Sequence, residues 1–223
     1  MVNAPRLLPL TFGLTVLIWI IATSGGNHVL VKEWLGDAYD SQAEHFLRGD
    51  VGVDVGAISS EAMIVNGKVR MYFGPFPAFI RIPLNFIYSP GRSRWSRVSG
   101  FFAGTIALFA FSGLVASALR ACNLSVPARR LLGNALLVGF VLGSPVLFLV
   151  GNLSIYNEPI IWALAWSLGA LYFALRSRES EGAVLTRALL GFSLCAAAAL
   201  LFRATFGSPF ILIAPLSCSS TPA

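Results

Sequence analysis

The sequence predicts an all-α polytopic membrane protein with five to six transmembrane helices and one large extracytoplasmic first loop. Three observations carry this expectation. Of the 223 residues, 56% are hydrophobic and only 12% are charged, with a mean hydropathy of +0.75; a soluble domain carries about 25% charged residues. The apolar residues gather into long runs bounded by arginine, which is the pattern of membrane spans. Seven of the ten acidic residues fall between Ser24 and Arg97, namely Glu33, Asp37, Asp40, Glu44, Asp50, Asp54 and Glu61. If the chain acts on something water-soluble, most of the groups that could do so are there.

The formal charge of +6 and pI near 9.7 do not point to nucleic acid. The arginines cluster at the ends of apolar runs, where anchoring and topology account for them. Cys122, Cys195 and Cys218 are odd in number and scattered, so no disulfide framework is implied. His28 and His45 are the only histidines, and without paired cysteines or an HExxH motif no structural zinc site is expected.

Residues 1–23 begin with Arg6 and the apolar run Leu7–Thr23. The pattern is like that of a signal peptide, but the run is longer than the usual apolar core of one. With many further spans behind it, it reads as an uncleaved first transmembrane helix.

Residues 24–97 form the extracytoplasmic loop, in three pieces. Tyr39, Ala43, Phe46 and Leu47 recur at helical spacing, with Asp40, Glu44 and Arg48 on another face. Asp37 is placed as the N-cap of this amphipathic helix and Gly49 as its stop. Next, Ala62–Val65 and Lys68–Tyr72 flank Asn66-Gly67, the dipeptide a type I′ hairpin turn demands. Last comes Phe76–Tyr88, which contains Arg81 and Pro83 and falls short of the roughly 20 residues a span needs. It reads as a Pro-rich interfacial helix with Phe76, Phe79, Ile80 and Ile87 dipping into lipid.

Residues 98–217 supply the helix block: Val98–Leu119, Leu131–Val150, Ile160–Leu175, Ala188–Phe202 and a start at Phe206–Leu216, followed by a tail at 218–223. Gly139, Gly143 and the Ala196–Ala199 run permit close helix contacts. Lys and Arg counts set the orientation. Arg120, Arg129 and Arg130 share one connection and Arg176, Arg178 and Arg187 another, while the intervening Gly151–Pro159 has none. The N-terminus and the basic connections are therefore expected in the cytoplasm, and the large loop outside.

Taken together, these stretches resemble the GT-C class of polyprenyl-phosphate-dependent glycosyltransferases, which includes protein O-mannosyltransferases and aminoarabinose transferases. The resemblance is carried by Gly36-Asp37-Ala38-Tyr39-Asp40-Ser41-Gln42-Ala43, by Asn66-Gly67-Lys68 through Tyr72-Phe73-Gly74-Pro75-Phe76-Pro77, and by Arg97-Val98. Tyr156-Asn157-Glu158 and Arg203-Ala204-Thr205 extend it. It implies a multi-pass protein of the cell membrane, bound to the lipid bilayer, that takes its sugar from a polyprenyl-phosphate donor. It also implies that the acidic residue after the first span is the general base, which here is Asp37, with Asp40 next along the helix. The phosphate of the departing carrier needs cations; Arg203 is the first choice, with Arg81, Arg97 and Lys68 behind it. Glu158 is implied as a second carboxylate, binding acceptor or metal. The resemblance leaves the cofactor open and allows a divalent metal, although no metal ligands are named by the residues themselves.

Two departures stand out. Many members have Asp-Glu at the opening of this loop, whereas Ala38 follows Asp37 here. Members also have more spans, so the chain reads as the N-terminal part of a longer transferase, active or inactive, with the remaining spans or a partner subunit to be supplied. Plainer roles remain open: Asp37 as a helix cap, Arg203 as a snorkelling anchor, and Glu158 as a charge favourable to a helix N-terminus. The rival class is a non-catalytic membrane protein, a transporter half or a scaffold. A transporter places ionisable groups inside its spans, and Val98–Leu119, Leu131–Val150 and Ile160–Leu175 contain none.

Overall fold

A computed structural model describes residues 7–218. The chain is mostly helical, at 73%, and is divided between an apolar bundle and a polar head. In chain order, α1 is Leu8–Thr23; the head follows with α2 (Asp37–Leu47), α3 (Val55–Ile58), β1 (Met63–Val65), β2 (Lys68–Arg70) and α4 (Phe76–Ile87). The rest of the bundle is α5 (Ser96–Ala121), α6 (Val126–Leu142), α7 (Val146–Gly151), α8 (Asn157–Arg178), α9 (Gly182–Phe202) and α10 (Ala204–Cys218). Apart from Cys218, the expected tail lies outside the described residues.

Among the described residues, three helices are long and apolar enough to cross a membrane: α5 with 26 residues, α8 with 22 and α9 with 21. Leu8–Thr23 and Phe76–Ile87 are apolar but shorter. The bundle core joins Leu14 and Ile18 of α1 to Leu108 and Val115 of α5, Leu137 and Val141 of α6, and Ile161 and Trp162 of α8. A Cβ on Gly104 would stand 3.0 Å from Val150 and 3.3 Å from Ile18, so this glycine lets α1 and α7 approach α5 closely. Gly139 and Gly143 do not act this way. A Cβ on Gly139 meets nothing within 4 Å, and one on Gly143 meets only the Gly139 backbone of its own helix.

The expected single span Leu131–Val150 is broken into α6 and α7. Pro145 has no N–H to continue the helix, and the Ser144 hydroxyl donates to the Phe140 carbonyl while accepting from the Val146 N–H. The last expected helix starts earlier than Phe206, at Ala204. Arg203, extended at φ −156° and ψ 114°, separates it from α9.

In the head, the Asn66-Gly67 turn has φ of 52° and 73°, the two positive values a type I′ turn requires. It pairs Met63 with Arg70, Ile64 with Val69 and Val65 with Lys68, over a shorter ladder than the flanking residues suggested. Gly49, at φ +75°, ends α2 as expected. Asp37 is not the N-cap: Gly36 holds that position and Asp37 is the first helical residue. The faces of α2 also differ from expectation. Tyr39 and Ala43 are buried, but so is Asp40, whereas Leu47 is 71% exposed. The lipid face assigned to α4 is likewise only half right. Phe79 and Ile87 are exposed, together with Phe86, but the Phe76 ring packs edge-on against Phe202 at 5.0 Å and Ile80 packs on the bundle core.

Candidate functional site

The head is seated on the bundle by side chains that point inward from α4. Ala78, Arg81 and Asn85 follow one another at three and four residues, so they share one helix face, and all three are buried. That face lies against α2, which brings Asp40 opposite Arg81 and Asn85.

Arg81 is wholly buried. Its Nη2 lies 2.7 Å from both carboxylate oxygens of Glu158 and 3.1 Å from Ser96 Oγ, while its Nε is 3.7 Å from Asp40 Oδ2. Asn85 donates to Asp40 Oδ1 at 2.5 Å and accepts from the Trp95 indole N–H at 3.0 Å. One cation and two carboxylates from α2, α4 and α8 are thus knotted together, with Ser96 adding the first turn of α5. Burying such charges costs several kcal/mol per ion, offset only when the pairing geometry is good. Burial pushes the Asp40 carboxyl above the usual carboxylate range, with Arg81 and Asn85 pulling the other way. Beside the cluster, Tyr39 donates its hydroxyl to the Ile155 carbonyl at 2.9 Å. Burial and then the Glu158 charge hold its phenol well above the usual range.

The other candidate residues lie outside this knot. Asp37, one turn earlier on α2, pairs through Oδ2 with Lys32, and its Oδ1 is buried with no hydrogen-bond partner. Arg97 pairs with Glu33 and lies 3.3 Å from both the Ala22 carbonyl and Ser24 Oγ, so it ties α5 to the end of α1. Lys68 sits on the hairpin, 3.4 Å from Asp50, which Arg70 and His45 also approach. Arg203 stands in a cavity of about 430 Å³ between the α9–α10 break and the chain at Tyr72–Pro75. There the backbone passes so close that a Cβ on Gly74 would be 2.2 Å from the Leu201 carbonyl oxygen.

Sequence reasoning brought Asp40, Arg81 and Glu158 forward without the contact that unites them, and it missed Asn85, Trp95 and Ser96. For Asn85 a signal existed, because it follows Arg81 by four residues on one helix. Near the cavity a second group was also missed. Glu61 accepts from the Tyr72 hydroxyl at 2.9 Å, and interaction with the Tyr156 and Tyr72 phenols holds its carboxyl below the usual range and raises the Tyr156 phenol.

The donor set of the knot does not suit a metal ion, because Asp40 and Glu158 converge on the Arg81 guanidinium, which occupies the place a cation would take. Among the described residues, no group of three or more His, Cys, Asp or Glu side chains could hold a metal ion. The chain matches no protein-family model, no curated protein and no solved structure.

Proposed function

We propose that the chain carries the donor and acceptor site of a membrane glycosyltransferase that moves a sugar from a polyprenyl-phosphate carrier to an acceptor hydroxyl. In this reading it sits in the cell membrane with its N-terminus in the cytoplasm and its head outside. The observation that supports it most is the locking of α2 to the end of an apolar bundle by the Asp40–Arg81–Glu158 knot. A carboxylate-bearing helix is thereby fixed where a lipid-borne phosphate would emerge.

Within this reading the residues divide by exposure. Arg81 and Glu158 are buried and mutually paired, so they position the site rather than touch substrate. The Asp37 side chain is 29% exposed and pairs only with the exposed Lys32, and it is assigned as the base. The acceptor O–H gives its proton to Asp37 as its oxygen bonds to the anomeric carbon. The bond from that carbon to the phosphate oxygen breaks, and polyprenyl phosphate departs with the electron pair. Arg203 stabilises the departing phosphate.

The test is Asp37→Asn in membranes supplied with a polyprenyl-phosphate hexose and a panel of hydroxyl acceptors. Losing a general base lowers transfer by about 10²–10⁴-fold. Asn keeps the side-chain size, so the fold survives. Transfer at the parental rate would remove Asp37 from the mechanism and shift attention to Asp40. The second reading is a non-catalytic membrane protein, either scaffold or transporter half. Complete burial of Arg81 and Glu158 favours it, because those charges are committed to holding the fold. Absence of transfer by the parental chain, with every candidate donor and acceptor, would leave this second reading standing.

A further inference from the structure

We propose that Trp34, Tyr156 and Tyr72, with Glu61 at their edge, form a shelf that holds the sugar ring of a phosphate-linked glycolipid whose phosphate lies in the adjoining Arg203 cavity. The proposal rests on the glycosyl-transfer reading for the kind of ligand. It assigns that ligand's sugar to residues that no other part of the reading uses.

The rings are linked through Phe73, which is itself buried beneath them. Trp34 and Tyr156 lie with ring centroids 5.6 Å apart and planes tilted by 33°, Tyr156 meets Phe73 edge-on at 5.2 Å, and Phe73 lies 4.2 Å from Tyr72. Tyr72 and Phe73 are also walls of the cavity that contains Arg203. Two of these rings are left open to the surroundings, Trp34 at 57% and Tyr72 at 56% exposure, although both are large and aromatic.

An aromatic face is electron-rich at its centre, and the C–H groups on the face of a pyranose or furanose ring carry the complementary positive charge. Hydroxyls around the same ring need acceptors. An ionised carboxylate offers about four lone-pair sites; the Tyr72 phenol uses one of the Glu61 set, leaving capacity for sugar hydroxyls. At about 430 Å³, the cavity falls within the roughly 300–1,000 Å³ usual for small-molecule sites, and Arg203 gives it a cation for the phosphate.

The experiment measures binding in lipid nanodiscs of farnesyl phosphate and of its mannosyl, glucosyl and arabinosyl esters. At least one glycosylated form is expected to bind the parental protein more tightly than farnesyl phosphate does. Trp34→Leu keeps an apolar side chain for lipid but has no aromatic face. It and Glu61→Gln should each weaken the glycosylated ligand by roughly tenfold and leave farnesyl phosphate unchanged. Arg203→Gln should weaken both ligands. Equal loss of both ligands in Trp34→Leu would make the shelf a lipid contact and overturn the proposal. So would an unchanged affinity for the glycosylated ligand in Trp34→Leu and Glu61→Gln. Failure of the parental protein to bind any of the four would overturn the glycosyl-transfer reading itself, and the shelf with it.

Discussion

Arg81 of α4 and Glu158 of α8, 77 positions apart in the chain, meet with one guanidinium nitrogen 2.7 Å from both carboxylate oxygens. Neither side chain is open to the surroundings. Removing Arg81 leaves Glu158 as a buried, uncompensated charge, a loss of about 3–5 kcal/mol, whereas removing Glu158 leaves Arg81 only its longer contact with Asp40. Arg81→Met and Glu158→Gln should each lower the thermal midpoint in detergent. The double variant should be less impaired than the sum of the two, because neither member of the pair is left facing an empty partner, and the remaining loss falls on Asp40. Strict additivity would mean that the pair does not form.

Acid should act on the head in two opposed steps. Burial raises the folded-state pKa of Asp40 above its ordinary value, so its destabilising charge is removed as pH falls through that raised pKa. Asp50 and Asp54 are held below the ordinary range, chiefly by hydrogen bonds with His45 and with Ser41, respectively. Their contribution is present above the unfolded carboxylate pKa and is lost as pH falls through the lowered values. Proteolysis of the head against pH should therefore show resistance holding or rising just above the ordinary carboxylate range and falling below it. Asp40→Asn should abolish the first step and leave the second.

Gly74 and Gly139 give a paired test of packing. Gly74→Ala would drive a Cβ to 2.2 Å from the Leu201 carbonyl oxygen and 2.4 Å from that of Phe202, neither of which can yield as a flexible side chain could. The head should lift from α9, with greater protease sensitivity between α3 and α4. Gly139→Ala meets nothing within 4 Å and should be neutral or stabilising by up to about 1 kcal/mol, as replacing a helical glycine usually is. Equal behaviour of the two variants would contradict the close approach at Gly74.

Topology is testable by labelling single cysteines in a Cys-free background with an impermeant thiol reagent. Ser60→Cys in the head and Asn152→Cys, near the Ile155 contact with Tyr39, should label from outside in intact cells. Ser180→Cys, beside Glu179, which pairs with Arg120 at the far end of α5, should not. Labelling of the Ser180 variant alone would invert the proposed orientation.

Local chemistry was legible where it determines structure by itself. Asn66-Gly67 permits the two positive φ values of its turn, Gly49 stops α2, and the runs behind α5, α8 and α9 are long and uncharged. What could not be read depended on partners far along the chain. Asp40 looks solvated at helical spacing because Arg81 and Asn85, which make its burial tolerable, lie on another helix. In α4 the aromatic residues drew attention to a lipid face, yet the tight inward face is Ala78, Arg81 and Asn85. The Leu131–Val150 run is continuous in hydropathy, and only the backbone demands of Ser144-Pro145 divide it. At the candidate site, residue types were legible and their grouping was not. Asp40, Arg81 and Glu158 converge, whereas Arg97 and Lys68 are tied to Glu33 and Asp50.

The position of Glu158 in the chain bears on how the protein is made. During synthesis α4 leaves the ribosome well before α8, so until residue 158 has emerged Arg81 has only Asp40 of the two carboxylates that it meets in the folded chain. Full seating of the head is thus expected only after α8 has been made. Chains arrested before residue 158 should expose α4 to protease, and chains arrested after α8 has emerged should protect it.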